Sequence, residues 1–148
     1  MKKSIFTIAL TLFIGLSSVF AGNTEGVNQK VMNVFKKDFT TATDVKWEIT
    51  KDYYKVTFKN VDQVMYAYYN VDGTRLSVIR NIRSSDLPLK AQEGMKKFQE
   101  GHWITDLFEY NSNDESGYFA TLENADEKLV IRSSEGSAWM LYSKEQKQ

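Results

Sequence analysis

The chain has 148 residues with 19 basic and 19 acidic side chains, one histidine, one proline and no cysteine. The absence of cysteine excludes a disulfide framework and thiol chemistry. Because the charges balance, the chain has no electrostatic footprint for nucleic acid or an anionic membrane, and we expect neither as a partner. What remains is one ordinary domain, long enough to bury a core without cross-links.

The N-terminus has the pattern of a secretion signal. Lys2 and Lys3 precede an apolar run over residues 5–14. Val19 and Ala21 occupy the two positions before the predicted cleavage site that a signal peptidase recognises. The run is too short for a spanning helix, and no second long apolar run follows. We therefore predict a signal peptide over residues 1–21, a periplasmic or secreted mature protein, and no membrane insertion after cleavage. Cleavage would leave 17 basic and 19 acidic residues, a net charge of −2.

The remaining sequence predicts an internal repeat. A shift of 63 residues places Gln29, Met32, Phe35, Val45, Trp47 and Gly73 on Gln92, Met95, Phe98, Phe108, Tyr110 and Gly136. A shift of 64 residues places Tyr54, Thr57, Asn60 and Asp62 on Tyr118, Thr121, Asn124 and Asp126. Self-similarity at a fixed period is typical of a repeated structural unit. We predict unit one over residues 22–82 and unit two over residues 83–148, together forming one domain.

Each unit is predicted to hold one helix followed by four strands. Apolar residues recur at helical spacing from Val27 to Phe35 and from Leu87 to Phe98, and Pro88 marks the start of the second helix. Four alternating runs follow in each unit, and Asp72-Gly73 and Glu135-Gly136 are predicted to turn the third hairpins. The fold class is therefore α+β: two α-β-β-β-β repeats whose antiparallel sheets carry the helices on one face.

Strand alternation divides the sheet residues between two faces. Hairpin pairing predicts that Trp47 lies opposite Val56, Phe58 opposite Met65, and Ala67 opposite Val78, all on the helix-covered face. The predicted core residues are Val45, Trp47, Val56, Phe58, Ala67, Val78, Phe98, Tyr110, Ala120, Leu122, Ile131 and Leu141. The opposite face carries Tyr53, Tyr66, Tyr68, Phe119, Met140 and Tyr142. An exposed aromatic face indicates a binding surface, whereas the preference of tyrosine for sheets, or a second core face, would also place aromatic residues there.

Three segments resemble a known family. The sequences WEITKDYYKVTFKN (residues 47–60), AYYNVDG (67–73) and SDLP (85–88), together with the leader, resemble the secreted PepSY-like, β-lactamase-inhibitor-like proteins. The resemblance implies two abutting helix-plus-four-strand units whose sheets form one curved, protein-binding surface. In the family's β-lactamase inhibitory protein, an aspartate between the second and third strands of unit one reaches into the enzyme. Asp62 is the matching residue, although that inhibitor has disulfides and this chain has none.

Catalytic side chains do not cluster in the sequence. His102 is the single histidine and is predicted to be a loop or surface residue, since a zinc site needs three or four ligands and no Gly-x-Ser-x-Gly segment surrounds a serine. We expect no enzyme activity, no metal and no cofactor. The leading hypothesis is an exported binding protein whose open sheet face contacts another protein, as a modulator or inhibitor of an exported enzyme. The alternative is a small-ligand-binding or weakly enzymatic envelope protein with a pocket between the units.

Overall fold

A computed structural model describes residues 25–134 and 138–148 of the chain. The predicted signal peptide, the Glu135-Gly136 turn and the match of Gly73 with Gly136 lie outside these described residues. The helices and strands are, in order, α1 (Gln29–Asp38), β1 (Ala42–Ile49), β2 (Tyr53–Asn60), β3 (Gln63–Asn70), β4 (Arg75–Asn81), α2 (Leu89–Gln99), β5 (Trp103–Ser112), β6 (Ser116–Glu123), β7 (Glu127–Ser134) and β8 (Met140–Gln146).

All eight strands form one antiparallel sheet in the order β1-β2-β3-β4-β5-β6-β7-β8. Each strand pairs with the next strand in the chain, and β4 pairs with β5, so the two predicted sheets are one continuous sheet. This topology confirms the α+β class with antiparallel pairing. Whether the two halves superpose as repeats stays a prediction.

Helix α1 begins and packs as its sequence pattern predicts. The Asn28 side chain accepts a hydrogen bond from the Lys30 N–H at 2.8 Å, which satisfies one free donor of the first turn. Val31 and Phe35 lie one turn apart and are buried against Trp47, Val56 and other core residues of β1–β3. The amphipathic face of α1 thus covers the first half of the sheet.

Helix α2 covers the second half of the same sheet face. Ala91 and Met95 are buried with Leu107, Ala120 and other residues of β5–β7. Trp139, just before β8, donates its indole N–H to the carbonyl oxygen of Ala91 at 2.7 Å within this core. A satisfied indole N–H allows a large aromatic ring to be fully buried.

The predicted strand register is correct where the structure tests it. Trp47 lies opposite Val56, Phe58 opposite Met65, and Ala67 opposite Val78. The residues predicted as core that are buried are Trp47, Val56, Phe58, Ala67, Tyr110, Ala120, Leu122 and Ile131. Val78 and Phe98 are partly buried against the two core clusters.

Two predicted core residues are exposed instead: Val45 at 36% and Leu141 at 53%. Val45 lies on the edge strand β1 beside a β-bulge between Thr43 and Lys46, where no further strand covers it. Leu141 lies opposite Ile131 on the edge strand β8, next to a second bulge, and it is not among the residues of the core cluster.

Tyr110 is buried on the face opposite to the predicted one. Leu107 occupies the helix-side position opposite Ala120, whereas Tyr110 lies opposite Gly117 on the other side. The β1–β2 turn between Ile49 and Tyr54 and the β5–β6 turn between Asn111 and Ser116 enclose the same number of residues. Counted from these turns, Trp47 corresponds to Glu109, so its predicted match with Tyr110 was wrong by one residue, which reverses the face.

Candidate functional site

The sheet face that points away from α1 and α2 is called the open face below. The six aromatic and methionine residues predicted to lie on this face do lie there: Tyr53, Tyr66, Tyr68, Phe119, Met140 and Tyr142. They alternate along their strands with core residues such as Ala67 and Ala120. The strand alternation predicted from the sequence therefore holds on both sides of β2, β3 and β6.

Three tyrosines form a cluster over β2 and β3. The rings of Tyr53 and Tyr68 have centroids 5.8 Å apart, and the Lys55 ammonium lies 5.5 Å from the centre of the Tyr66 ring. Burial raises the pKa of Tyr68 to about 12, with smaller contributions from Tyr53, from the Glu48 carboxylate and from Tyr66. The tyrosine cluster is thus packed closely enough to desolvate one phenol, yet it remains at the surface.

A second aromatic cluster lies over β5, β6 and β8. The Phe119 ring is 5.4 Å from Phe108, 5.3 Å from Tyr110 and 5.3 Å from Tyr142, measured between centroids. Phe108 and Tyr110 are buried, whereas Tyr142 is 41% exposed. This phenylalanine cluster therefore has a buried floor and an exposed edge.

Arg132 connects the floor of the phenylalanine cluster to polar groups. Its guanidinium lies 5.5 Å from the Tyr110 ring centre and 5.7 Å from that of Phe119. Its Nε and Nη2 atoms donate hydrogen bonds to the Tyr110 hydroxyl at 3.1 and 2.8 Å, and it forms an ion pair with Glu115. Stacking on aromatic rings and these hydrogen bonds hold the guanidinium in one orientation.

The two clusters belong to one surface. Tyr66 lies opposite Ile79 on β4, and Ile79 lies opposite Tyr110 on β5, so one row of side chains crosses from the first cluster to the second. Gly117 provides the space for this row: a Cβ atom there would lie 3.0 Å from Tyr110 Cε1 and 2.2 Å from the Ser133 carbonyl oxygen. The missing side chain lets the Tyr110 ring lie close to the sheet.

Asp62 lies at the exposed turn between the end of β2 and the start of β3, beyond the strand residues that form the tyrosine cluster. Val61 and Asp62 both have positive φ angles, 48° and 66°, as a two-residue type I′ hairpin turn requires. Val61 is 80% exposed. The structure thus brings six of the seven predicted binding residues onto one face and leaves Asp62 at the end of a hairpin.

Sequence reasoning missed four residues of the open face: Ile79, Phe108, Tyr110 and Arg132. Arg132 could have been found, because it directly follows Ile131, which was predicted as a core residue, and neighbouring residues of a strand point to opposite faces. Phe108 and Tyr110 were assigned to the wrong face, because the match of the two halves placed β5 one residue out of register with β6.

His102 lies between α2 and β5, as predicted, but its side chain is only 11% exposed. Its Nδ1 atom is 3.1 Å from the Glu100 carbonyl oxygen, and its Nε2 atom is 3.1 Å from both Glu127 Oε1 and Asn124 Nδ2. Hydrogen bonds from Lys144 and Gln146 lower the pKa of Glu127. These contacts tie the β6–β7 turn to β8.

Within residues 25–134 and 138–148, no group of three or more histidine, cysteine or acidic side chains could hold a metal ion.

Two grooves are present besides the open face. One, of about 400 Å³, lies where the linker between the halves passes β5, and its lining includes Arg83, Ser84 and Asp106. Burial raises the pKa of Asp106. The other, of about 590 Å³, lies between α1 and the edge strand β1.

Solved structures with the same fold come from Bacteroides species. A BLIP-like protein from Bacteroides fragilis is 18% identical, with a TM-score of 0.68 over 80% of this chain and 85% of that chain. A DUF2874 family protein from Bacteroides ovatus is 15% identical, with a TM-score of 0.72 over 84% and 89%. A protein from Bacteroides eggerthii that is provisionally assigned to the periplasm is 11% identical, with a TM-score of 0.72 over 80% and 88%.

These identities establish similarity of fold alone. No protein-family model matches the chain, and no curated protein matches it at a significant level. Among the described helices, none is long and apolar enough to cross a membrane. The chain therefore has a BLIP-like fold: a single eight-stranded antiparallel sheet with two helices on one face.

Proposed function

We propose that this chain is an exported, non-catalytic binding protein that contacts another exported protein through its open face. The observation that carries the proposal is the continuous aromatic surface formed by the tyrosine cluster, Ile79 and the phenylalanine cluster. Contiguous exposed aromatic surface is uncommon on a protein without a partner, and tyrosine, methionine and arginine are enriched at the centres of interfaces.

The charges of the open face favour a partner with an apolar centre and a mixed-charge rim. Lys55 is paired with Glu48 at 3.0 Å, and Lys59 is paired with Asp44 at 2.8 Å. Arg132 is paired with Glu115. Because these three cations already have anionic partners within the chain, they contribute little to the attraction of a strongly acidic ligand.

The family resemblance supports a more specific role. In the β-lactamase inhibitory protein, the matching sheet face binds an enzyme, and a neighbouring structure is named BLIP-like. We therefore propose that the chain modulates or inhibits an exported enzyme. We also propose that it is built from two PepSY-like α-β-β-β-β repeats, over residues 22–82 and 83–148. Asp62 would then contact the partner from its exposed hairpin.

The test compares variants in affinity capture from an extract of exported proteins. Tyr66→Ala and Tyr68→Ala should each weaken retention of the specifically captured protein by more than about tenfold, since removal of a central aromatic anchor commonly costs about 2 kcal/mol or more. Leu89→Ala is the matched control, because Leu89 is 71% exposed but lies on α2, on the other side of the sheet. Asp62→Ala should weaken capture only if the partner offers a polar or cationic pocket.

Thermal unfolding of the same variants separates binding from folding. Capture that is unchanged by the tyrosine substitutions, or lost only in variants that have unfolded, would mean that the open face is structural. A captured protein that is also lost with Leu89→Ala would indicate non-specific retention.

A further inference from the structure

The groove between α1 and β1 is an apolar site on the helix side of the sheet, separate from the open face. Its apolar lining consists of Met32, Phe35, Phe39, Ala42, Val45 and Trp47, and Lys36 and Thr40 complete it. The groove is half open to solvent and has a volume of about 590 Å³. The groove lies at the free edge of the sheet, because β1 is the first strand in the strand order.

A distortion of β1 borders this groove. The register breaks between Thr43 and Lys46, and Asp44, a residue type that tolerates the left-handed region, has a φ angle of 51°. Val45, beside the bulge, is 36% exposed on the lining of the groove. Bulges are over-represented at sheet edges and next to functional sites.

One unpaired cation lies on the lining. Lys36 is exposed, and no carboxylate of the described residues forms an ion pair with it. The nearby acid of the same helix, Asp38, is held by Arg75 at 2.9 Å. The groove therefore combines an apolar surface with a single positive charge that is available to an external anion.

We propose that the groove binds a single-chain amphiphile with a carboxylate head, such as a long-chain fatty acid. The alkyl chain lies against Met32, Val45 and Trp47, and the carboxylate pairs with Lys36. The break in β1 argues against a peptide strand as the occupant, because strand addition needs an uninterrupted row of backbone groups along the edge. This site is independent of the open face and of the function proposed for it.

Trp47 serves as the reporter, since its ring lines the groove. We expect a brominated fatty acid, added to the full mature chain below its micelle concentration, to quench the part of the fluorescence that is lost in Trp47→Phe. Shortening the alkyl chain by two methylenes should weaken binding by up to about tenfold, provided that these methylenes contact the groove in the longer acid. A bromoalkane alcohol of the same length should bind about two- to fivefold more weakly, because it lacks the charge.

Matched variants identify the site. Val45→Asp, at an exposed position, should weaken quenching by more than about tenfold, and Lys36→Gln should reproduce the loss seen with the alcohol. Lys37→Gln is the control, because Lys37 does not line the groove. The proposal is overturned if the brominated acid leaves Trp47 fluorescence unchanged, if Val45→Asp binds like the unaltered chain, or if quenching occurs only with bromolipid vesicles. Capture through the open face should be unaffected by Val45→Asp, so the two proposals fail separately.

Discussion

Val61 is a β-branched residue in a backbone conformation that it disfavours. Its φ angle of 48° places it in the left-handed region, and its side chain is 80% exposed. No burial compensates for this strain, which is of the order of 1–2 kcal/mol for a residue with a Cβ atom. Strain at the exposed tip of the hairpin that carries Asp62 is consistent with a turn kept for contact with a partner.

Val61→Asn should raise the free energy of unfolding by about 0.5–1 kcal/mol, because asparagine tolerates the left-handed region and is favoured in type I′ turns. Chemical denaturation measures the change. Val71→Asn is the control, since Val71 is 47% exposed near the next turn and is not among the residues with positive φ. Equal effects of the two substitutions would show that relief of backbone strain is not the cause.

Tyr68 should make the folded state sensitive to alkaline pH. Burial raises its pKa from the ordinary 10.0 to about 12, so between these values the unfolded chain loses the phenolic proton and the folded chain keeps it. The contribution of Tyr68 to the free energy of unfolding is therefore constant below about pH 10 and decreases as the pH rises to about 12. Tyr68→Phe should make the decline in stability over this range less steep, measured by denaturation at several pH values. An unchanged slope would contradict the desolvation of Tyr68.

At the scale of the strands, edge positions and single-residue offsets separate what the sequence predicted from what it could not. The registers that join Trp47, Val56 and Phe58 to their partners were predicted, because an uninterrupted period of two fixes the face of every residue. Val45 is exposed because it lies beside a bulge on the edge strand, and Tyr110 was assigned to the wrong face by a one-residue error in the match between the two halves. Alternation alone reveals neither the bulge nor the offset.

Gly117 should be the glycine most sensitive to substitution among those that the structure describes. A Cβ atom at this position would lie 2.2 Å from the Ser133 carbonyl oxygen, so Gly117→Ala must separate β6 from β7 or displace Tyr110. We expect it to lower the free energy of unfolding by about 3 kcal/mol or more.

Gly101→Ala provides the comparison for this substitution. Gly101 has a φ angle of 73°, and nothing lies within 4 Å of the added Cβ atom. Its cost should therefore be limited to backbone strain of about 1–2 kcal/mol. If Gly117→Ala proved no more destabilising than Gly101→Ala, the close approach of Tyr110 and β7 to Gly117 would be disproved.

At the scale of the whole molecule, one continuous sheet with both helices on the same side leaves the other side without cover. The sequence predicted this division of faces and six of the open-face residues. The spacing of apolar residues along the helices and the alternation along the strands are independent signals, and both indicated one helix-covered face. It did not predict the stacked Arg132, or the His102 contacts with Asn124 and Glu127, since these depend on tertiary distances.

The most direct test of the central claim is lysine acylation of the complex compared with the free protein. Lys46 and Lys59 lie on the open face, whereas Lys90 and Lys96 lie on α2. We expect the captured partner to slow modification of Lys46 and Lys59 severalfold and to leave Lys90 and Lys96 at their free rates, as read by mass spectrometry. Protection of Lys90 and Lys96 with no change at Lys46 and Lys59 would contradict the assignment of the open face as the binding surface.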